Sequence, residues 1–329
     1  MTEVFINSIS QISVQKPLCN DWFLNPLTFE NQELVFAQDP DFKRFLPQNL
    51  LRRNTSILKR AMVVSQNALE KSGLKSLQAI IVGSGLGCVE STESFLKDLF
   101  YNGEDFLKPS FFMQSTHNTI ASVIAVYLKC NGYNSTYCHN GLSFESALSD
   151  AFLQIKTAKI SNAFVGGFDE MSSTYFNILK RQGYLNFSKI GFAGQASCGM
   201  IISKEKTLQS CCKISNLDMI FSDDISLADE MLKNQEFDLC LCGYNGNPEN
   251  DKVYDKLCKN YCRGVYKNVF GESYSAVSYA VLTAQEIIKN NFVPDFLLLD
   301  KKVEKEINKI LIFNHYNAKE FSFILIEKC

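Results

Sequence analysis

Short apolar runs alternate along the chain with longer stretches of helical spacing. AIIVGSG, from Ala79, reads as a strand running into glycines, and Ser91 to Phe100 follows with helical spacing. Thr119 to Leu128 reads as a buried helix, Tyr133 to Cys138 as a short strand and Phe144 to Ala158 as a helix. NAFVGGFDE, from Asn162, is a strand and turn, and Cys198 to Ser203 a strand. After about residue 206 the pattern starts again. Lys213 to Leu217 and Phe237 to Cys242 read as strands, Asn250 to Cys262 and Glu272 to Asn290 as helices, and Ile310 to Phe313 and Phe321 to Glu327 as closing strands. Repeated strand–helix–strand units predict α/β layers. The similar content of the two stretches predicts an internally duplicated fold with halves at residues 1–205 and 206–329.

Composition narrows the function classes. A chain of 329 residues needs no staples, because at this size about three quarters of the unfolded surface is buried. Lys and Arg number 33 against 35 Asp and Glu, a formal charge of −2. That balance argues against a nucleic-acid partner and a polybasic membrane anchor. MTEVFINSIS lacks the positive region and apolar run of a signal peptide, and no apolar stretch approaches the ~20 residues of a membrane span. A cytoplasmic protein is expected, and its 12 cysteines are expected as reduced thiols. Cys240, Cys242, Cys258 and Cys262 invite a zinc reading, but CxC and CxxxC miss the usual spacings. Cys240 and Cys242 lie in the strand-like EFDLCLCG, and Cys258 and Cys262 sit four apart on a predicted helix, so all four read as small buried hydrophobes. Cys211 and Cys212 read the same way, and no metal or cofactor is expected.

Several generic motifs have plain explanations. Gly83-Ser84-Gly85-Leu86-Gly87 follows a strand and precedes a helix, but it is GxGxG rather than a dinucleotide fingerprint, and a tight turn suffices. The histidines are His117, His139 and His315. No GxSxG elbow is present for a Ser-His-Asp hydrolase. Asp169 and Glu170, after a glycine pair, read as turn or interface polar residues.

The stretch NGYNSTYCHNGLSFESALSDAFLQIKTAKISNAFVGGFDE, Asn131 to Glu170, resembles the nucleophile region of the β-ketoacyl synthases of the thiolase-like superfamily. Gly132 and Asn134 match its start, and Gly166-Gly167-Phe168-Asp169 matches the strand ending in Gly-Gly-x-Glu. GFAGQASCGM, from Gly191, resembles the family's GFVxGEGAGM, and Lys267-Asn268-Val269-Phe270-Gly271 its KSxxGH. Arg52 to Gly73 resembles the helix before the GSGLG turn. The resemblance spans most of the chain and implies a five-layer α-β-α-β-α fold of two similar halves.

It also implies a chemistry whose groups are missing here. Family members perform a decarboxylative Claisen condensation with a cysteine at a helix N-terminus, two histidines and a lysine. Spacing from both flanks puts Gly141 at the nucleophile position; Gly243 and Glu272 fall at the histidine positions, and Lys267 alone is retained. The glycine-rich gating loop is replaced by Asn314-His315-Tyr316-Asn317. Loss of one member of a catalytic unit typically costs factors of about 10³–10⁶, so no condensing activity is expected of this chain alone. The resemblance therefore implies a chain-length-factor-like subunit paired with an active β-ketoacyl synthase, with acyl carrier protein as an indirect partner. YCHNGLSFESAL also looks like the short subunits of aryl polyene pathways, alongside polyketide and fatty-acid systems. Thr116, His117, Thr119, Ile120, Val123, Tyr133, Ser135, Tyr137 and Cys138 are expected at the subunit interface and acyl tunnel. The alternatives are a self-sufficient enzyme using Cys138, three residues before Gly141, and a non-catalytic acyl-binding homodimer.

Overall fold

The apolar runs pair into a single mixed sheet. The computed structural model describes residues 2–104, 107–187, 191–299 and 306–329. The strands are β1 (Val4–Gln11), β2 (Ala79–Gly83), β3 (Tyr133–Tyr137), β4 (Asn162–Asp169), β5 (Ala196–Ser203), β6 (Cys212–Phe221), β7 (Leu239–Cys242), β8 (Arg263–Val265), β9 (Lys309–Tyr316) and β10 (Glu320–Lys328). The helices are α1 (Gln48–Arg53), α2 (Ser56–Ser72), α3 (Val89–Asn102), α4 (Pro109–Ser115), α5 (Thr119–Tyr127), α6 (Ser143–Lys156), α7 (Ser173–Arg181), α8 (Ile225–Lys233), α9 (Pro248–Cys258), α10 (Lys267–Phe270) and α11 (Val277–Asn290). Among the described residues no helix is long and apolar enough to cross a membrane.

The strand order is β3-β2-β4-β5-β1-β6-β10-β9-β7-β8. From the central β1–β6 contact outward, the two arms follow the same plan. The second and third strands of each half pair in parallel (β2 with β3, β7 with β8), and the second and fourth do likewise (β2 with β4, β7 with β9). The remaining contacts in each arm are antiparallel. We propose a division of the chain at 205/206 on the strength of this repetition.

Side chains alternate across each strand, and this sorts them into layers. Ile80 and Val82 of β2 pack with Leu58, Met62 and Ala121 of α2 and α5. Ile81 faces the other way, into a core shared with Phe144, Leu148 and Phe152 of α6 and Val281 and Ile288 of α11. The same central core takes Leu241 of β7 and Ile310 and Ile312 of β9. Cys240, Cys242, Leu311 and Phe313 face outward to Leu232 of α8 and Val253, Tyr254 and Leu257 of α9. The result is the five-layer α-β-α-β-α stack, with α6 and α11 as its middle layer. Every residue of α11 from Val277 to Ile288 is buried, and each fully buried large aliphatic contributes about 1.5–3 kcal/mol. The outer helices start on local signals. Asn247 caps α9 by accepting from the Glu249 N–H, with Pro248 in the first turn, and Asp224 caps α8.

The pattern missed several elements for identifiable reasons. In β1 all eight residues are buried, yet Asn7, Ser8, Ser10 and Gln11 break its apolar rhythm. These polar groups find partners: Asn7 Nδ2 donates to Ser203 Oγ at 2.8 Å and Ser8 Oγ to the Ala68 carbonyl at 2.6 Å. β8 spans only three residues. Cys262 lies beyond α9, which ends at Cys258, so the expected common helix face does not exist. The helix expected from Glu272 begins at Val277, which frees Glu272 to Ala276 to line a cleft.

Two tests follow from the central layer. A Cβ on Gly83, at the end of β2, would lie 2.3 Å from the Ser143 carbonyl at the start of α6. Gly83→Ala should destabilise the fold by about 1–3 kcal/mol in chemical denaturation, as overpacking does; an unchanged midpoint would contradict this packing. Glu145 of α6 is fully buried and reaches the other half, accepting from Asn314 Nδ2 at 2.8 Å and Ser322 Oγ at 3.1 Å. Burial pushes its carboxyl up to about 7, against these hydrogen bonds. A raised folded value means stability that is complete below the unfolded carboxyl value and lost as pH rises through 7. Asp169, pushed up to about 6, and Glu170, to about 8, act in the same direction. Glu145→Gln should therefore flatten the fall in unfolding free energy between about pH 4.5 and 7. Parallel pH profiles for the two proteins would reject a proton held at Glu145.

Candidate functional site

The loop before α6, the segment after β7, the α10–α11 link and the end of β9 converge on a cleft of about 430 Å³. Its lining includes Gly141, Lys267, Glu272, Asn314 and Tyr316, with Gly243 immediately behind. Residues far apart in sequence thus meet where the resemblance expects nucleophile, histidine and lysine.

The cleft holds a closed polar network. Lys267 Nζ donates to Glu272 Oε2 at 2.9 Å, both side chains being buried. Asn245 Nδ2 donates to the same oxygen at 2.5 Å. The lysine is therefore matched by a carboxylate within a hydrogen-bonded pair, the arrangement a buried charge requires. Asn314 connects this region to α6: its Nδ2 donates to the Gly141 carbonyl at 3.3 Å and to Glu145, and its Oδ1 accepts from the Tyr254 hydroxyl at 3.2 Å.

The glycines are sterically fixed. A Cβ at Gly141 would lie 2.7 Å from Cδ2 of Tyr316, and one at Gly243 would lie 2.4 Å from the Tyr254 hydroxyl oxygen and 2.7 Å from Asn314 Oδ1. Tyr316 stands where the gating loop was expected. Its ring centroid is 5.8 Å from that of Tyr184 and 6.0 Å from that of Tyr274, which itself lies 5.2 Å from Tyr184. His315 is buried beside them, its Nε2 3.0 Å from the Asn250 carbonyl; desolvation pushes its pKa down to about 4, keeping the ring neutral. The sequence pointed to Asn314–Asn317 as a replaced loop but gave no sign that Tyr316 covers Gly141. It likewise gave no sign that Asp169 is a buried tie: its carboxylate accepts from Ser84 Oγ at 3.1 Å, the Leu86 N–H at 2.7 Å and Ser275 Oγ, joining the glycine turn to the α10–α11 link.

The expected interface residues lie elsewhere. β3 is an end strand of the sheet, with Tyr133 exposed and Ser135 and Tyr137 half-buried. Cys138 follows it, exposed and outside the cleft lining, its thiol pKa raised by desolvation and by the Asp169 carboxylate. Neither position nor charge gives it the low-pKa environment of a reactive cysteine. Thr119 and Val123 line a second groove, with Leu58 of α2 and Met113 of α4. The Thr116 hydroxyl lies 2.8 Å from that of Thr119. His117 packs against the glycine turn at Gly87. Ile120, expected with them, is fully buried in the core under β2, so its side chain does not reach that groove.

The family model for the β-ketoacyl synthase N-terminal domain matches residues 27–194, just over half of the chain. No curated protein sequence matches it. Among solved structures, the ishigamide ketosynthase/chain length factor superposes with TM-score 0.81 at 13% identity, over 100% of this chain and 99% of the other. A complex of a type II PKS acyl-carrier protein with its ketosynthase bound to the hexaketide, AntDE:AntF, gives 0.79 at 14% identity over 100% of both chains. The ketosynthase ApeO with its chain length factor ApeC, from Xenorhabdus doucetiae, gives 0.77 at 13% identity over 100% and 98%. At such identities the likeness carries the fold alone: a thiolase-like ketosynthase architecture over the whole length. With the family match added, this chain belongs to the β-ketoacyl synthase family.

Proposed function

We propose that this chain is a non-catalytic, chain-length-factor-like subunit that pairs with an active β-ketoacyl synthase and shapes the end of its acyl tunnel. The observation that carries the reading is Gly141. It occupies the nucleophile position by sequence register, it lines the cleft, and Tyr316 fills the space a side chain there would need. Lys267, the one family group retained, is paired with Glu272 where the second histidine is expected. A thioester cannot form on glycine, and no histidine replaces the oxyanion donors that dominate such catalysis. His315 in the same cleft is held neutral, its Nε2 engaged with the Asn250 carbonyl.

The partner is inferred from the far edge of the sheet. β3 leaves a row of backbone groups open, the usual template for strand addition. α5 packs on β3, and α4 on α5. These two helices expose apolar side chains, Phe112, Met113 and Val126. Two of the solved neighbours are ketosynthase and chain length factor pairs. Acyl carrier protein then enters indirectly, by delivering acyl groups to the partner. A catalytic Cys138 lacks such support: it does not line the cleft, and its pKa is raised.

Co-expression with its ketosynthase should give a one-to-one complex, and Thr116→Phe or Val123→Phe should shorten the products made by that complex. Cys138→Ala should leave product length and yield unchanged. Product lengths that do not respond to either enlargement would reject the tunnel-wall role, and products lost with Cys138→Ala would favour a catalytic cysteine.

A further inference from the structure

One cluster plays no part in the cleft. β7 places Cys240 and Cys242 two residues apart, hence on the same sheet face, and α9 ends against that face at Cys258. The three sulfurs lie within 4.8 Å of one another, and those of Cys240 and Cys242 are 3.6 Å apart. All three residues are fully buried, among Leu232, Leu257, Leu311 and Phe313. In sequence the CxC spacing argued against a metal. The fold supplies the third sulfur from a helix that sequence spacing cannot relate to the strand.

We propose that Cys240, Cys242 and Cys258 form a three-thiolate site for one soft monovalent ion, Cu(I). A thiophilic d¹⁰ ion about 2.3 Å from each sulfur separates trigonal sulfurs by about 4 Å, by the sulfur–metal length of zinc sites; here one pair is 3.6 Å apart and none exceeds 4.8 Å, so small side-chain shifts reach that geometry. Soft thiolate sets favour Cu(I), zinc or iron–sulfur clusters. Structural zinc takes four ligands. Among the described residues only these three His, Cys, Asp or Glu side chains group together in this way. Three sulfurs suit a three-coordinate Cu(I).

A cation beside the site, Arg263, shares its charge with Asp255, their Nη1 and Oδ1 atoms 3.1 Å apart. Arg263 is the register partner of Cys240 across the β7–β8 pair, and its guanidinium acts electrostatically on both Cys240 and Cys258. Lys259 and Asn260, directly after Cys258, are exposed, so the end of α9 brings the trio to within two residues of solvent along the chain. Loading forms copper–sulfur bonds and releases the displaced thiol protons to solvent, with no change of oxidation state.

The test is anaerobic titration of the reduced full-length protein with Cu(I) against a chromophoric Cu(I) chelator, followed by X-ray absorption at one equivalent. The expected result is one tight equivalent with three sulfur neighbours and no nitrogen or oxygen. Cys240→Ala and Cys258→Ala should weaken that equivalent by more than the about 10–100-fold cost of losing an outer-shell partner. Cys262→Ala and Cys138→Ala should retain it, which separates the trio from scattered thiol binding. Unchanged affinity in both trio variants would overturn the proposal. So would fewer than three sulfurs in the wild-type spectrum, a reading that needs no variant to fold. Zn(II) displacing Cu(I) from the first equivalent would also refute it.

Discussion

The packing of α6 and α11 between the two arms of the sheet fixes the rest of this molecule. Both helices are held from both sides, by Ile81 and Val165 of one half and Leu241, Ile310 and Ile312 of the other. Gly83 exists because α6 starts too close to β2 for any side chain. With the start of α6 pinned, Gly141 is pinned, and with α11 pinned the α10–α11 link is brought opposite it. The cleft is therefore a consequence of the middle layer rather than of the groups that line it.

What fills the cleft supports a loss of chemistry with retention of shape. Glu272 gives Lys267 a buried counter-ion, and such a pair costs more to break than to keep. Asn314 bonds to Glu145, Tyr254 and the Gly141 carbonyl, tying the two halves through a buried polar network. The open edge of β3 and the groove beside Thr119 and Val123 are the surfaces our proposal uses.

Much of this was legible in the sequence because the signals were local. β2, β4, β5 and β9 each carry a short apolar core, AIIV, AFV, MII and ILIF, and β3, α5 and α6 follow from their spacing. The departures at Gly141, Gly243 and Glu272 could be read by register against the family motifs, and those motifs lie on the elements that meet in the cleft. Features that depend on contacts across the fold were hidden. β1 carries polar residues whose partners, Ser203 and Ala68, are far along the chain. Ile120 has the same apolar character as Val123, and only three-dimensional placement sends one to the core and the other to a groove. The cysteine trio depends on where α9 ends relative to β7, which no spacing rule encodes.

The central claim is that acyl chemistry belongs to a partner and not to this chain. It is tested most directly by incubating the purified complex with an acylated carrier protein and weighing both intact subunits. The account predicts that the acyl mass, and the adduct of a ketosynthase-directed electrophile, appear only on the ketosynthase subunit. An acyl thioester on this chain, at Cys138 or any other cysteine, would contradict it.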